Sequence, residues 1–349
     1  MGRFFQCNGR YLQRAYKEHL SDFVTWGQRN HAGEYMLLEK NIGTHLSIDE
    51  SMLHNDLFTF LSNKEGHGKQ GTLIAATKGT TISEVTKHLA KIPEKSCLAV
   101  EEVTMDFSDS MMGITKMMFP KAEIFIDCFH IMQLAGSTLE EMSMKIKRAA
   151  VAETKKEERE FKKRQAARNK ANARYAKKHK LKKSKNGKTL GRPRRRKNEK
   201  SVPAKMENGE TKVELLTHVR YPLLKSANDW TDFQRKSMKI FFKENKRIQR
   251  AYGLVCSLRN IFKTKQSRNK AKEALHVWYK RVGKSLIREL IAVRDTIKSK
   301  EEYVLNYFNQ RSTNAAAESL NSMMKGFHAQ VRGVSDLPFF MYRMMKIFG

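Results

Sequence analysis

His45 to Ala76 reads HLSIDESMLHNDLFTFLSNKEGHGKQGTLIAA, and Cys97 to Asp127 reads CLAVEEVTMDFSDSMMGITKMMFPKAEIFID. In the first stretch, His45 to Glu50 alternates apolar and polar side chains, the period of a half-buried strand. Leu57 to Leu61 and Thr72 to Ala76 are two more apolar runs. The turn between them passes through Gly66, Gly68 and Gly71, which predicts a hairpin with a long loop. A helix is predicted over Thr81 to Leu89, capped by Thr81 or Ser83. In the second stretch, Cys97 to Met105 is predicted as a strand ending on Asp106. Ser108 to Met118 is predicted as a helix stopped by Pro120, and Ala122 to Ile126 as a short strand ending on Asp127. Strands alternating with helices in this order predict an α/β (α+β) fold, a sheet with helices packed on it.

Upstream, residues 1–40 read as helical, with Tyr16, Leu20, Phe23, Val24 and Trp26 on roughly one face, and an Asn-Ile-Gly turn at 41–43 closes the segment. Downstream, no strand is predicted from Ile131 to Asn309. Residues 145–200 carry 25 Lys+Arg against 5 Asp+Glu, a local net of +20. Lys155 to Lys178 fits a solvated helix with Glu/Lys pairs. The remainder of the tract, through Gly187, Gly191 and Pro193, has too little apolar surface to fold alone and is expected to be partly disordered. Helical periodicity returns over 212–307, as in Trp230, Phe233, Met238, Ile240 and Phe241, then Leu254, Leu258, Ile261 and Phe262. A last helix starts near Thr313, and no internal repeat is evident. The expected division is an N-terminal helical segment (1–43), a first core part (44–140), a basic and mostly helical insertion (141–310), and a second core part (311–349).

The whole chain has 349 residues with 68 Lys+Arg against 36 Asp+Glu, a net charge of +32. Such an excess makes a polyanion the first partner to expect, because Lys and Arg displace condensed counterions from phosphates. Arg192, Arg194, Arg195, Arg196 and Lys197 are the densest part of the tract and the expected contacts to a nucleic-acid backbone, DNA or RNA. They would supply affinity without sequence information. No apolar run is long enough to span a membrane. The opening MGRFFQCNGR is too short and too polar for a secretory leader, and Gln6 stands where myristoylation wants Ser or Thr. Cys7, Cys97, Cys128 and Cys256 form no C-x-x-C pair, so neither a disulfide framework nor a zinc ribbon is indicated, and a reducing cytoplasm is expected. The methionines, Met111, Met112, Met117, Met118, Met323, Met324, Met344 and Met345, read as fillers of core gaps.

Three acids stand where a sheet fold presents side chains to a cleft. Asp49 ends or nearly ends the first strand, Asp106 ends a later one, and Glu318 lies in the helical segment NAAAESLNSMMKG. Ligands of α/β sheets sit beyond strand ends, where two aspartates could converge. Three carboxylates match what two Mg²⁺ ions need when water and phosphate oxygens fill the other positions. Asn314, Glu318, Asn321 and Lys325 are spaced by four, three and four, one polar stripe of a helix. An ordinary solvated face has the same spacing, and strand-terminal Asp is also a common turn residue or cap. Glu50 and Asp109 are nearby carboxylates that remain alternatives. Asp127 and His130 fit equally a ligand pair or a helix cap.

Three segments carry a resemblance: HLSIDESMLHNDLFTFLSNKEGHGKQGTLIAATKGT, VTMDFSDSMMGITKMMFPKAEIFIDCFHIMQL and STNAAAESLNSMMKGFHAQVRGVSD. Together they resemble a DDE transposase of bacterial insertion sequences, of the ISL-three group, over roughly residues 40–140 and 210–349. The resemblance implies an RNase H-like mixed sheet, interrupted by a helical insertion before the last acid. It places the catalytic, metal-holding acids on Asp49, Asp106 and Glu318, with Mg²⁺ or Mn²⁺ as cofactor. Asp127 and His130 match an accessory Asp-x-x-His element in which Cys128 replaces an expected arginine. The implied activity is metal-dependent cleavage at the ends of a mobile element and attack of the freed 3′-OH on target DNA. The implied setting is a homo-oligomer on DNA in the nucleoid-associated bacterial cytoplasm. The family's N-terminal zinc module and helix-turn-helix have no match here. End recognition then falls to a separate small protein or to the N-terminal helices. A decayed or domesticated DNA-binding protein is the alternative, and the presence of all three acids with Asn314 and Asn321 favours the active enzyme.

Overall fold

A computed structural model describes residues 8–178, 201–330 and 336–349. Its first elements are α1 (Gly9–Ala15), β1 (Tyr35–Leu37), β2 (His45–Leu53), β3 (Asp56–Asn63), β4 (Leu73–Lys78), α2 (Ile82–Leu89) and α3 (Glu94–Leu98). Then come β5 (Glu102–Met105), α4 (Asp109–Met118), β6 (Glu123–Ile126) and α5 (Cys128–Lys178). A helical series follows: α6 (Lys212–His218), α7 (Arg220–Leu224), α8 (Asp232–Glu244), α9 (Lys246–Lys263), α10 (Arg268–Ser285), α11 (Arg288–Ser299) and α12 (Glu301–Gln310). The chain closes with α13 (Ala315–Gln330) and α14 (Leu337–Phe348).

The sheet has the order β1-β4-β3-β2-β5-β6. β2, β3 and β4 form an antiparallel meander, and β5 and β6 then add in parallel beside β2. This is the RNase H-like arrangement, with one extra edge strand. The tight reversal at His54 and Asn55, both at positive φ, sets the β2–β3 register that pairs Asp49 with Phe60. Helix starts follow local chemistry. Thr81 and Glu84 form a reciprocal capping box on α2, and the Ser108 side chain accepts from the Met111 N–H at the start of α4.

Sequence and structure differ at several points. Among the described residues of 1–40, helix is confined to α1, the π-helical turn that follows and a 3-10 turn at Glu39–Asn41, and Tyr35–Leu37 is a strand paired with β4. The Gln28 amide stands in for a neighbouring strand there, donating to the Leu37 carbonyl at 2.7 Å and accepting from its N–H at 2.8 Å. Capping an edge in this way withdraws it from pairing with other chains. Phe23 is buried, but Leu20 and Val24 are exposed, so the N-terminal apolar face is only partly real. The strand predicted over Cys97–Met105 shortens to Glu102–Met105. Pro93 opens a helical turn whose carbonyl receives the Cys97 N–H, taking Cys97 and Leu98 into α3. Met117, read as a filler of the core, is exposed.

Chain contacts divide the molecule into two units. The first comprises residues 1–133, 260–279 and 293–349, and the second 134–259 and 280–292. In the first unit, Met36, Phe58, Phe60 and Leu73 form one apolar cluster with Leu320, Met324, Phe340, Met341 and Met344. The hydrophobic effect thus seats α13 and α14 on the sheet, which fixes where Glu318 can be. At the other edge, the Asn306 Nδ2 of α12 donates to the Ile124 carbonyl of β6 at 2.9 Å.

The second unit is helical, with Leu215, Val219, Leu223, Met238, Phe241, Val255 and Leu258 in its core. The stretch 134–178 of α5 belongs to it. After Ala150 none of the helix's described side chains is buried, as expected for a solvated helix. Arg192, Arg194, Arg195, Arg196 and Lys197 lie outside the described residues, as does the rest of 179–200.

Candidate active site

Register assembles the acids. β2 and β5 run parallel with Ser47 beside Thr104, their hydroxyl oxygens 2.7 Å apart. Two residues further on, on the same face, come Asp49 and Asp106. β5 pairs Met105 with Ile126 of β6, so the next residues, Asp106 and Asp127, also stand side by side. The three aspartates form a row across adjacent strands, where α/β sheets place their ligands. Asp49 is within β2 rather than at its end, because β2 continues to Leu53 to pair with β3.

The end of the chain reaches the same row. Asn314 precedes α13, and its carbonyl accepts from the Glu318 N–H at 3.1 Å. Fully buried, it donates its backbone N–H to Asp127 Oδ2 (3.1 Å) and its side-chain Nδ2 to Asp106 Oδ1 (3.4 Å). Thr104 Oγ1 donates to the Asn314 Oδ1 at 3.1 Å. In the second turn of α13, Asn321 donates from Nδ2 to Asp49 Oδ2 at 2.5 Å. Glu318 faces the row from the first turn of α13. His130, in the first turn of α5, lies with Nε2 2.7 Å from Asp106 Oδ1 and 3.6 Å from Glu318 Oε1. Asp127 is buried, and its Oδ1 accepts from the Phe129 N–H at 3.0 Å, capping α5. Lys325 lies elsewhere. It is exposed and lines a cavity of about 80 Å³ with Ser51, Phe60, Met324 and His328.

Crowding of like charges sets the electrostatics. Burial, and then the neighbouring Asp106 charge, push the Asp49 carboxyl up to about 6. Burial and Asp106 also raise Glu50, which is half-buried. For His130, burial opposes the imidazolium, but Asp106, Asp127 and Asp49 outweigh it and the ring is raised overall. Asp109 is not part of the row; it is exposed and paired with Lys300 at 2.8 Å.

The donor set suits a hard divalent cation. Asp127, His130 and Glu318 each bring a ligand atom within 4.8 Å of the others, and Asp49 and Asp106 adjoin them. Asn321 Oδ1 is buried without a hydrogen-bond partner, one more oxygen acceptor at the row. Oxygen-rich, anionic and partly buried, these groups fit Mg²⁺ or Mn²⁺ better than a soft metal.

Some supports have no sequence signal. Lys300 Nζ donates to the Phe107 carbonyl at 3.2 Å as well as pairing with Asp109, and so holds the loop that leaves Asp106. Buried Glu102 pairs with Lys64 Nζ at 2.5 Å and accepts from the Ser312 hydroxyl, anchoring the approach to α13. These partners come from distant parts of the chain, and no spacing rule connects them.

The raised Asp49 carboxyl has a consequence for stability. Its folded-state value lies above the ordinary 3.8, so ionisation disfavours the folded chain. In a chelating buffer, stability contributed by protonated Asp49 is lost as pH rises from about 4 through 6. Asp49→Asn removes the charge, and its amide can donate to the unpartnered Asn321 oxygen. The variant is expected to melt above the wild type at pH 8 and level with it at pH 4. Equal melting at both pH values would contradict the charge argument.

A six-stranded sheet of RNase H-like strand order carries a row of carboxylates, with a large helical region between β6 and α13. The model of the DDE transposase family of the ISL-three group, described as "Transposase", matches residues 46–344. The chain belongs to that family and is a transposase, a protein of DNA transposition and recombination in mobile elements. No curated protein and no solved structure matches it. No helix among the described residues is long and apolar enough to cross a membrane.

Proposed function

We propose that the chain cleaves DNA strands at the ends of an insertion sequence and joins the freed 3′-OH to target DNA, with Asp49, Asp106 and Glu318 holding divalent cations. The observation that carries this reading is the carboxylate row itself. In a chain of net charge +32, Asp49, Asp106 and Asp127 adjoin on three strands and Glu318 faces them across His130. Mg²⁺ or Mn²⁺ bound there would supply activation of the attacking oxygen and stabilisation of the leaving one.

The chain's own residues hold that arrangement. Asn321 orients Asp49, Asn314 fixes Asp106 and Asp127 relative to α13, and His130 holds a proton between Asp106 and Glu318. Lys325, about 10 Å farther along α13 and lining its own cavity, takes no part in the acid row in this reading. Residues 161–178 of α5 carry eight Lys+Arg and no acid, and with Arg192 to Lys197 they would bind the DNA backbone. Residues 44–140 with 311–349 form the catalytic core in this reading, and 1–43 and 141–310 serve DNA contact. Assembly as a homo-oligomer on DNA, with or without a small end-recognition protein, belongs to the same proposal, as does a nucleoid location.

The test uses the full chain with a supercoiled plasmid carrying the element's ends. Nicking and joining are expected with Mg²⁺ or Mn²⁺ and not with a chelator. Glu318→Gln is expected to lose both steps together. Undiminished cleavage by Glu318→Gln, or cleavage in the chelator, would overturn the proposal.

A further inference from the structure

Phe129 is out of place for a phenylalanine. It is 54% exposed, whereas Phe58, Phe60, Phe119, Phe125, Phe339 and Phe340 of the same unit are buried. It is not among the residues of the two apolar clusters that α14 joins. Its position is nevertheless fixed. Asp127 Oδ1 accepts from its backbone N–H at 3.0 Å, and its ring meets the His130 ring at 90° with centroids 5.3 Å apart. His130 in turn touches Asp106 and Glu318. A rigidly mounted, water-exposed aromatic ring therefore stands one residue from the acid row. One turn further along α5, Gln133 is also exposed, and a spacing of four puts its amide on the same helix face.

We infer that Phe129 and Gln133 form a stacking site for a nucleobase unpaired beside the phosphodiester that the acids receive. This inference rests on the function proposed above. A strand with one phosphate at the acid row can carry its neighbouring nucleotide past Phe129, whose ring is one contact away through His130. A base inside a duplex has both faces covered by its neighbours, so it can stack on a side chain only after leaving the helix. Every base has a π-face, which makes an aromatic ring a sequence-tolerant platform, and the Gln133 amide offers both a donor and an acceptor to a base edge. In-line displacement also needs the attacking and leaving oxygens aligned, and an unpaired strand turns to that alignment more freely than a stacked one. Stacking on Phe129 holds the strand open at that point. Phe129 and Gln133 are positioning residues in this scheme and touch a base, not the reacting atoms.

The experiment measures cleavage of two duplexes with the element's terminal sequence, one fully paired and one mismatched next to the cut. A second readout is 2-aminopurine placed beside the cut, which brightens when it unstacks from the duplex. Phe129→Ala is expected to cut the paired duplex roughly tenfold or more slowly, to recover most of the rate on the mismatched duplex, and to lose the fluorescence change. Phe129→Trp is expected to restore both the paired-duplex rate and the fluorescence change. Both variants should melt as the wild type does, because the ring is exposed. Equal slowing of Phe129→Ala on both duplexes, or no slowing on either, overturns the inference while leaving the proposed function intact. Absence of metal-dependent cleavage by the wild type would instead overturn the function beneath it.

Discussion

Asp106→Asn is expected to lower metal-dependent strand cleavage by about 10²–10³-fold, the order found when a group stabilising transition-state charge is removed. Asp106 is the centre of the site. It stands between Asp49 and Asp127 in the strand register, accepts from Asn314, and pairs with His130 at 2.7 Å. Asparagine keeps the shape and the Asn314 bond but loses the charge that attracts a cation. DNA binding should survive, because one neutralised acid hardly alters a chain of net charge +32. The measurement pairs cleavage rates with binding over a salt series. Cleavage within tenfold of the wild type would remove Asp106 from the chemistry. Parallel loss of binding would show that the substitution disturbed the fold.

Asp127→Ala is expected to destabilise the chain by about 3–5 kcal/mol in chelating buffer. The Asp127 carboxylate is buried and accepts from two backbone N–H groups, Phe129 at the start of α5 and Asn314 before α13. Each donor left without a partner costs about 1–3 kcal/mol, the Asn314 N–H most because that residue is fully buried. The expected fall in melting temperature is roughly 10 °C, taking about 2–4 °C for each kcal/mol. Asp127→Asn, which keeps one acceptor oxygen, should recover about half. Normal melting of Asp127→Ala, combined with lost Mn²⁺ binding, would make Asp127 a metal ligand and not the joint between the two helices.

The strand positions were legible because period-two alternation and turn glycines are local signals. His45–Glu50, Leu57–Leu61 and Thr72–Ala76 mark β2, β3 and β4. β1 was not legible. Its three residues stand as a strand only because β4 and the Gln28 amide satisfy them, and both partners are non-local. The identities of the clustered acids were open to spacing arguments, but their convergence depends on strand register, which no local pattern carries. The residues of the polar stripe part company in the structure. Asn321 reaches Asp49, whereas Lys325 lies seven residues beyond Glu318, about 10 Å along a helix, and lines a separate cavity. Asn314 acts from just before the helix, not from its face.

The central claim is that Asp49, Asp106 and Glu318 share bound divalent cations, and Mn²⁺ titration followed by electron paramagnetic resonance tests it directly. The wild type at pH 7.5 should take up Mn²⁺ in a saturable step, more weakly by about tenfold for each pH unit below 6 as Asp49 protonates. Asp49→Asn, Asp106→Asn and Glu318→Gln should each weaken that uptake. Mn²⁺ binding unchanged in all three variants would contradict it.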